Sequence, residues 1–185
     1  MRSATRGGAA ASVVQVFVLG IDPGLSRCGY GAVRALPTGH RAEAIGVIRT
    51  SPSTDLPLRL AELQVELRSL LAELRPDVVA VERIFFQNNV RTAMSVGQAS
   101  GLAMAEAVAF GATVVQYSPN EVKLAVAGDG AADKEQVQAM VQRLLGLAAP
   151  PRPADAADAA ALALCHLAHA PARAAVAAAV ARSAR

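Results

Sequence analysis

The feature that most narrows the folds open to this chain is a pair of short aliphatic runs that each stop on an acid. Residues 16–21 are almost wholly aliphatic or β-branched, and the run ends at Asp22, where Pro23-Gly24 turns the chain. A continuous apolar run of this length reads as a central strand covered on both faces. Residues 77–81 repeat the pattern and are followed at once by Glu82. A lone acid at a strand end is most often a solvated turn residue. Two of them raise the question of whether the fold brings them together.

The remaining pattern supplies a sheet and its covering helices. Residues 28–36 and 41–50 read as two strands joined by a Pro37-Thr38-Gly39 hairpin turn, giving three consecutive strands that can pair antiparallel. Residues 55–75 carry leucine at 56, 60, 63, 67, 70, 71 and 74, a helical stripe that stops before Pro76. A loop is expected over residues 83–91, a helix over 93–110, a strand over 113–117, and helices over 120–127, 133–145 and about 154–169. In the helix over 93–110, Gly97, Gly101 and Ala105 share one face, small enough to let another backbone approach. Packing inside the fold is the simpler reading, and contact with a second subunit the alternative. Strands followed by strand and helix alternation imply an α/β fold, a five-stranded mixed sheet with helices on both faces. Residues at the carboxyl ends of neighbouring parallel strands converge in such sheets. Asp22 and Glu82 therefore meet if the first and fourth strands are adjacent.

Composition bounds the setting. The chain's 185 residues fit one domain of ordinary size. We expect residues 1–14 to be a disordered basic extension, 15–170 the folded domain and 171–185 an Ala/Arg-rich tail, either helical or frayed. The Arg2 and Arg6 start does not read as a secretory signal, because its apolar run leads straight into Asp22-Pro23-Gly24. No apolar stretch reads as a membrane span. A formal charge of +3 permits an anionic partner without demanding one. Cys28 and Cys165 suggest no disulfide framework, and a reducing cytoplasm is the expected location.

The last helix opens Asp155-Ala156-Ala157-Asp158, which puts both acids on one face of its first turn. Alone, that pair reads as helix-end electrostatics and capping. If the helix packs beside Asp22 and Glu82, four carboxylates share one cleft and repel unless cations lie among them. Hard oxygen ligands on a partly open site suit magnesium or manganese. Two such ions support phosphodiester hydrolysis.

At this point the motifs carry a resemblance. Gly20-Ile21-Asp22-Pro23-Gly24 with Gly29-Tyr30-Gly31, Val81-Glu82 with Phe85-Phe86, Gly97-Gln98-Ala99-Ser100-Gly101, Val122-Lys123 with Gly128-Asp129-Gly130 and Lys134, and Asp155-Ala156-Ala157-Asp158-Ala159 resemble, in this order and spacing, the RuvC Holliday junction resolvases of the ribonuclease H-like superfamily. The resemblance spans residues 16–169. It implies that Asp22, Glu82, Asp155 and Asp158 are the metal-binding catalytic set for two Mg2+ or Mn2+ ions per site, with Asp22 bridging. It also implies in-line attack by water that leaves a 5′ phosphate and a 3′ hydroxyl. The implied substrate is four-way junction DNA, cut symmetrically in recombination and repair. The implied partners are a second copy of the chain and the branch-migration proteins RuvA and RuvB. Arg83 departs from the glutamine more usual in that family.

Lys123 and Lys134 are the only lysines among 18 basic residues. A compact ammonium reaches a phosphate where a planar guanidinium does not fit, and the resemblance places both near the scissile strand, Lys134 with a catalytic role. Solvated surface lysines are the plain alternative. Phe85-Phe86 stands out in a chain only 3% aromatic. One ring is expected in the core; the resemblance points to Phe85 as the one that wedges or stacks at the branch point. Arg83, Arg91, Arg143 and Arg152 are candidates for a phosphate groove. His166 and His169 could be ligands but read as packing or surface residues, and Tyr117 and Cys165 as core. The rivals are an actin-like ATPase or sugar kinase, which needs two such domains, a non-catalytic junction-binding module, which has no need of four acids, and a ribonuclease H-like nuclease acting on RNA hybrids.

Overall fold

A computed structural model describes residues 16–83 and 90–183, and within them the side chains of all but 90–92, 171–179 and 181–183. Five strands form one mixed sheet in the order β3-β2-β1-β4-β5. They are β1 (Phe17–Asp22), β2 (Arg27–Leu36), β3 (Gly39–Arg49), β4 (Val78–Glu82) and β5 (Thr113–Tyr117). The first three pair antiparallel, as two turns of a few residues allow. β4 joins β1 in parallel, and β5 joins β4 in parallel. Their crossovers are supplied by α1 (Leu56–Leu74) and α2 (Val90–Ala109). The expected fold class is the one observed.

Each face of the sheet has its own core. Phe17, Leu19, Ile21, Val79 and Val81 point towards α1 and α2, where Leu63, Leu67, Leu71, Ala99, Ala103 and Ala107 meet them. Val18, Val33 and Ala80 point the other way, towards α3 (Pro119–Ala127), α4 (Lys134–Leu144) and α5 (Ala154–Ser183). Strand side chains alternate between faces, and both faces of β1 are covered, hence its unbroken apolar run. The leucine stripe of α1 puts Leu63, Leu67 and Leu71 in complete burial. Each of these contributes about 1.5–3 kcal/mol relative to exposure.

α5 lies across β1 and β2 at unusually short range. Gly20 and Gly31 are partners in the β1–β2 ladder, and Gly29 stands opposite Asp22. A methyl at Gly31 would lie 2.5 Å from the Ala160 Cα. At Gly20 it would lie 2.8 Å from the Ala163 nitrogen, and at Gly29 2.6 Å from the Asp155 carbonyl carbon. The three glycines form a flat window on which the buried Ala156, Ala159, Ala160 and Ala163 of α5 rest.

Two expectations need correction. α5 does not end near His169 but runs on through Pro171 to Ser183. Pro171 costs a hydrogen bond, but alanine on both sides carries the highest helix propensity available. Gly97, Gly101 and Ala105 do not pack inside the chain: all three are exposed, and nothing lies within 4 Å of the Cβ position at either glycine. With Met94 and Val108, both more than half exposed, they form one outward face of α2.

Candidate active site

Asp22 and Glu82 are the last residues of β1 and β4. Because Ile21 is in register with Val81 across the parallel pair, the two acids emerge side by side from the carboxyl edge of the sheet. A hydrogen-bond interaction with Asp22 acts on the Glu82 carboxyl. Burial pushes the Asp22 carboxyl up to about 7, and the charges of Glu82, Asp158 and Asp155 push in the same direction against Lys134. Glu82 is also raised, by burial and then by Asp158, with the Asp22 hydrogen bond and Lys134 opposing.

The helix that rests on the glycine window brings the other two acids. Asp155 and Asp158 lie on the first turn of α5, close enough to Asp22 to act on its ionisation. Each is met by a cation: Asp155 Oδ2 lies 3.4 Å from Arg27 Nε, and Asp158 Oδ2 accepts a 2.7 Å hydrogen bond from Lys134 Nζ. That bond, before all else, raises the Lys134 ammonium above its ordinary range. Lys134 opens α4 and is placed by the residue before it, since Asp133 and Gln136 make a reciprocal capping box. Ser118 and Glu121 do the same for α3, which carries Lys123.

Two open cavities meet at Asp22. One, of about 300 Å³, is lined by Asp22, Glu82, Lys123, Lys134 and Asp158, with Val122, Val137 and Leu162 as its apolar wall. The other, of about 360 Å³, runs over Pro23, Gly24, Ser26, Arg27, Arg59 and Asp155. Cys28 is buried beside the acids, and that burial pushes its thiol up to about 12, so it stays protonated and is a poor ligand.

The donor set fits a hard divalent cation, being four carboxylates of which Asp22 and Glu82 are raised first by burial and then by their acidic neighbours, a cost that positive charge relieves. Among the described residues, no three Asp, Glu, His or Cys side chains converge tightly enough to make a ready cage. Lys134 and Arg27 hold Asp158 and Asp155 instead.

The other nominated residues divide. Lys123 faces the first cavity. Arg83 lines neither cavity; its Nη2 donates at 3.4 Å to the Gln116 carbonyl. Phe85 and the Arg91 side chain lie outside the described residues. Arg143 and Arg152 line neither cavity. His166 is buried with Nδ1 3.0 Å from the Tyr117 hydroxyl, and His169 Nδ1 is bonded to the Cys165 carbonyl. Tyr117, Cys165 and His166 are buried, and His169 is half-buried. Arg27 and Arg59 were not foreseen. The register of β2 against β1 would have suggested Arg27, near Asp22 across the hairpin, but no local pattern announces Arg59.

Comparison with known proteins identifies the family. The model of the family "Crossover junction endodeoxyribonuclease RuvC" matches residues 18–166. RuvC of Salinispora arenicola is 56% identical over 141 residues, which cover 75% of this chain and 80% of that protein. The Thermus thermophilus RuvC structure superposes with a TM-score of 0.78 at 38% identity, covering 84% of this chain and 96% of that one. The same protein in complex with a Holliday junction substrate gives 0.80 at the same identity, covering 84% and 94%. On its fold, the spacing of its motifs and these matches, the chain belongs to the RuvC family of crossover junction endodeoxyribonucleases.

Proposed function

We propose that this chain resolves four-way DNA junctions by hydrolysing one phosphodiester at each of two symmetric sites, using Asp22, Glu82, Asp155 and Asp158 to hold two Mg2+ or Mn2+ ions. One observation carries the reading: Asp22, at the end of a buried strand, is pushed up to about 7 by its burial and then by the charges of three further acids from two distant segments. A cluster of that kind is costly to the fold and is relieved by multivalent cations. Bound there, divalent ions supply Lewis-acid stabilisation of the charge that develops on a phosphodiester under attack.

The protein's own side chains supply the rest. Asp22 and Glu82, both raised above the ordinary carboxylate range, must be ionised before both can serve as ligands. Lys134 keeps Asp158 oriented while lining the cavity itself. Lys123, on the same wall, is placed to meet a phosphate of the strand being cut. The charge of both lysines favours a polyanion over the bare acid cluster.

A four-way junction is close to two-fold symmetric, so paired incision calls for two copies of the site. The exposed face of α2, with Met94, Gly97, Gly101, Ala105 and Val108, is the surface we assign to that contact, because small residues let two helices approach closely. RuvA and RuvB remain the branch-migration partners implied by family. The two buried, unbridged cysteines suit a reducing cytoplasm, and no described helix is long and apolar enough to cross a membrane.

The test is cleavage of a synthetic four-way junction beside a plain duplex and an RNA–DNA hybrid, in magnesium and then in calcium. Symmetric cuts in the junction alone, abolished by Asp22→Asn, are the expected result. Equal cutting of the hybrid, or junction binding with no cleavage in either ion, contradicts the proposal.

A further inference from the structure

The second cavity at Asp22 has a basic wall that the carboxylate chemistry does not use. Arg59, on the first turn of α1, donates from Nε to Thr50 Oγ1 at 3.0 Å and from Nη2 to Ser26 Oγ at 2.6 Å. Thr50 in turn donates to the Leu25 carbonyl, and its own N–H bonds the Ser26 carbonyl at 3.3 Å. The guanidinium is thus fixed against the very turn that follows Asp22. Among the described residues its partners are neutral hydroxyls, whereas Arg34 and Arg41 meet Glu43, Arg68 meets Glu106 and Arg27 meets Asp155. A guanidinium has five N–H donors; those not committed to Thr50 and Ser26 belong to a group that lines the cavity.

We infer that Arg59 binds a backbone phosphate of the cleaved strand next to the scissile one, on the side of Asp22 away from Lys134. Among the described residues Asp22 is the one shared by the two cavities, and each has its own cations, Lys123 and Lys134 in one and Arg27 and Arg59 in the other. A strand drawn across Asp22 therefore meets positive charge before and after the acids. Arg27 is partly engaged by Asp155. Arg59, which meets no acid among the described residues, presents a rigid fork, the arrangement that recognises phosphate in two-point fashion. Two anchors spare it the ordering cost of a free arginine on binding. The inference rests on the proposed junction cleavage and assigns the register of the strand in that site.

The experiment pairs Arg59→Gln with junctions carrying a single neutral methylphosphonate at each position flanking the cut. Binding is measured in calcium over a range of salt, and cleavage in magnesium. With the wild-type protein, one methylphosphonate position should weaken binding about tenfold. Arg59→Gln should cause a similar loss on the unmodified junction and lower the salt slope by about 0.9. The same methylphosphonate should then cost the variant little more. Additive losses at every position, with an unchanged slope, overturn the inference, because a brace for the turn has no reason to couple to one phosphate. If Arg59→Gln does not fold, Arg59→Lys carries the test: the penalty at that position must shrink relative to wild type, and an unchanged penalty overturns it. Failure of the wild-type protein to cut counts against the proposed activity, whereas cutting with purely additive penalties counts against the Arg59 subsite alone.

Discussion

Replacing Gly29 with alanine tests whether the glycine window sets the position of the acids. The new methyl would lie 2.6 Å from the Asp155 carbonyl carbon and 3.3 Å from its Cβ. Carbon atoms in ordinary contact sit about 3.5–4.0 Å apart, so the first turn of α5 must retreat by about 1 Å. It cannot do so by rotating a side chain, since the obstacle is backbone. The overpacking costs about 1–3 kcal/mol, less than the roughly 5–15 kcal/mol of a typical domain, so the variant should fold with a lowered Tm. Asp155 would then be displaced relative to Asp22, and a misplacement of about 1 Å at a reacting centre costs about 100-fold in rate. The assay is single-turnover junction cleavage at saturating protein, beside junction binding in calcium and a thermal melt. Cleavage should fall about 100-fold while binding changes by no more than a few-fold. A folded variant that cleaves within about threefold of wild type refutes the idea that helix-to-sheet distance controls the site.

Three further outcomes follow from the same geometry. Asp22 is raised from 3.8 to about 7 in the folded protein, so between those values the native state holds a proton that the unfolded chain has released. The contribution of Asp22 to metal-free stability is therefore greatest below about pH 4 and declines towards pH 7, by on the order of a few kcal/mol at most; in a pH series of melts the stability of wild type relative to Asp22→Asn should fall over that range, and magnesium should offset the loss above pH 7. Lys134→Arg should slow cleavage at least tenfold while sparing binding, since a guanidinium cannot reproduce the 2.7 Å point contact with Asp158; unimpaired cleavage argues against a role for Lys134 at the site. Gly101→Arg on the exposed face of α2 should give a monomer by sedimentation that binds the junction weakly and no longer makes paired cuts, and an unaltered dimer shows that the contact lies elsewhere.

How much of this was legible in advance depends on the range of the interaction. The strands ending at Asp22 and Glu82 and the leucine stripe of α1 follow from local periodicity, and the structure repeats them nearly residue for residue. The extent of α5 was not legible because it turns on a balance between Pro171 and the alanines around it, which periodicity does not weigh. The face of α2 was misjudged because small residues signal close approach without saying to what. The roles of Arg27 and Arg59 were invisible because their partners lie across a hairpin or 33 residues away at Ser26.

By itself the order of residues determined that four acids would stand at the ends of buried elements, since an aliphatic run must stop where a carboxylate needs solvent or a counter-ion. Only the tertiary structure decided that they share one site. Parallel pairing of β1 with β4 aligns Asp22 with Glu82, and a patch free of Cβ atoms at Gly20, Gly29 and Gly31 lets α5 come close enough to add Asp155 and Asp158. The strand pairing and the close seat of α5 arise from contacts between segments far apart in the chain, and such contacts are selected by how whole surfaces fit.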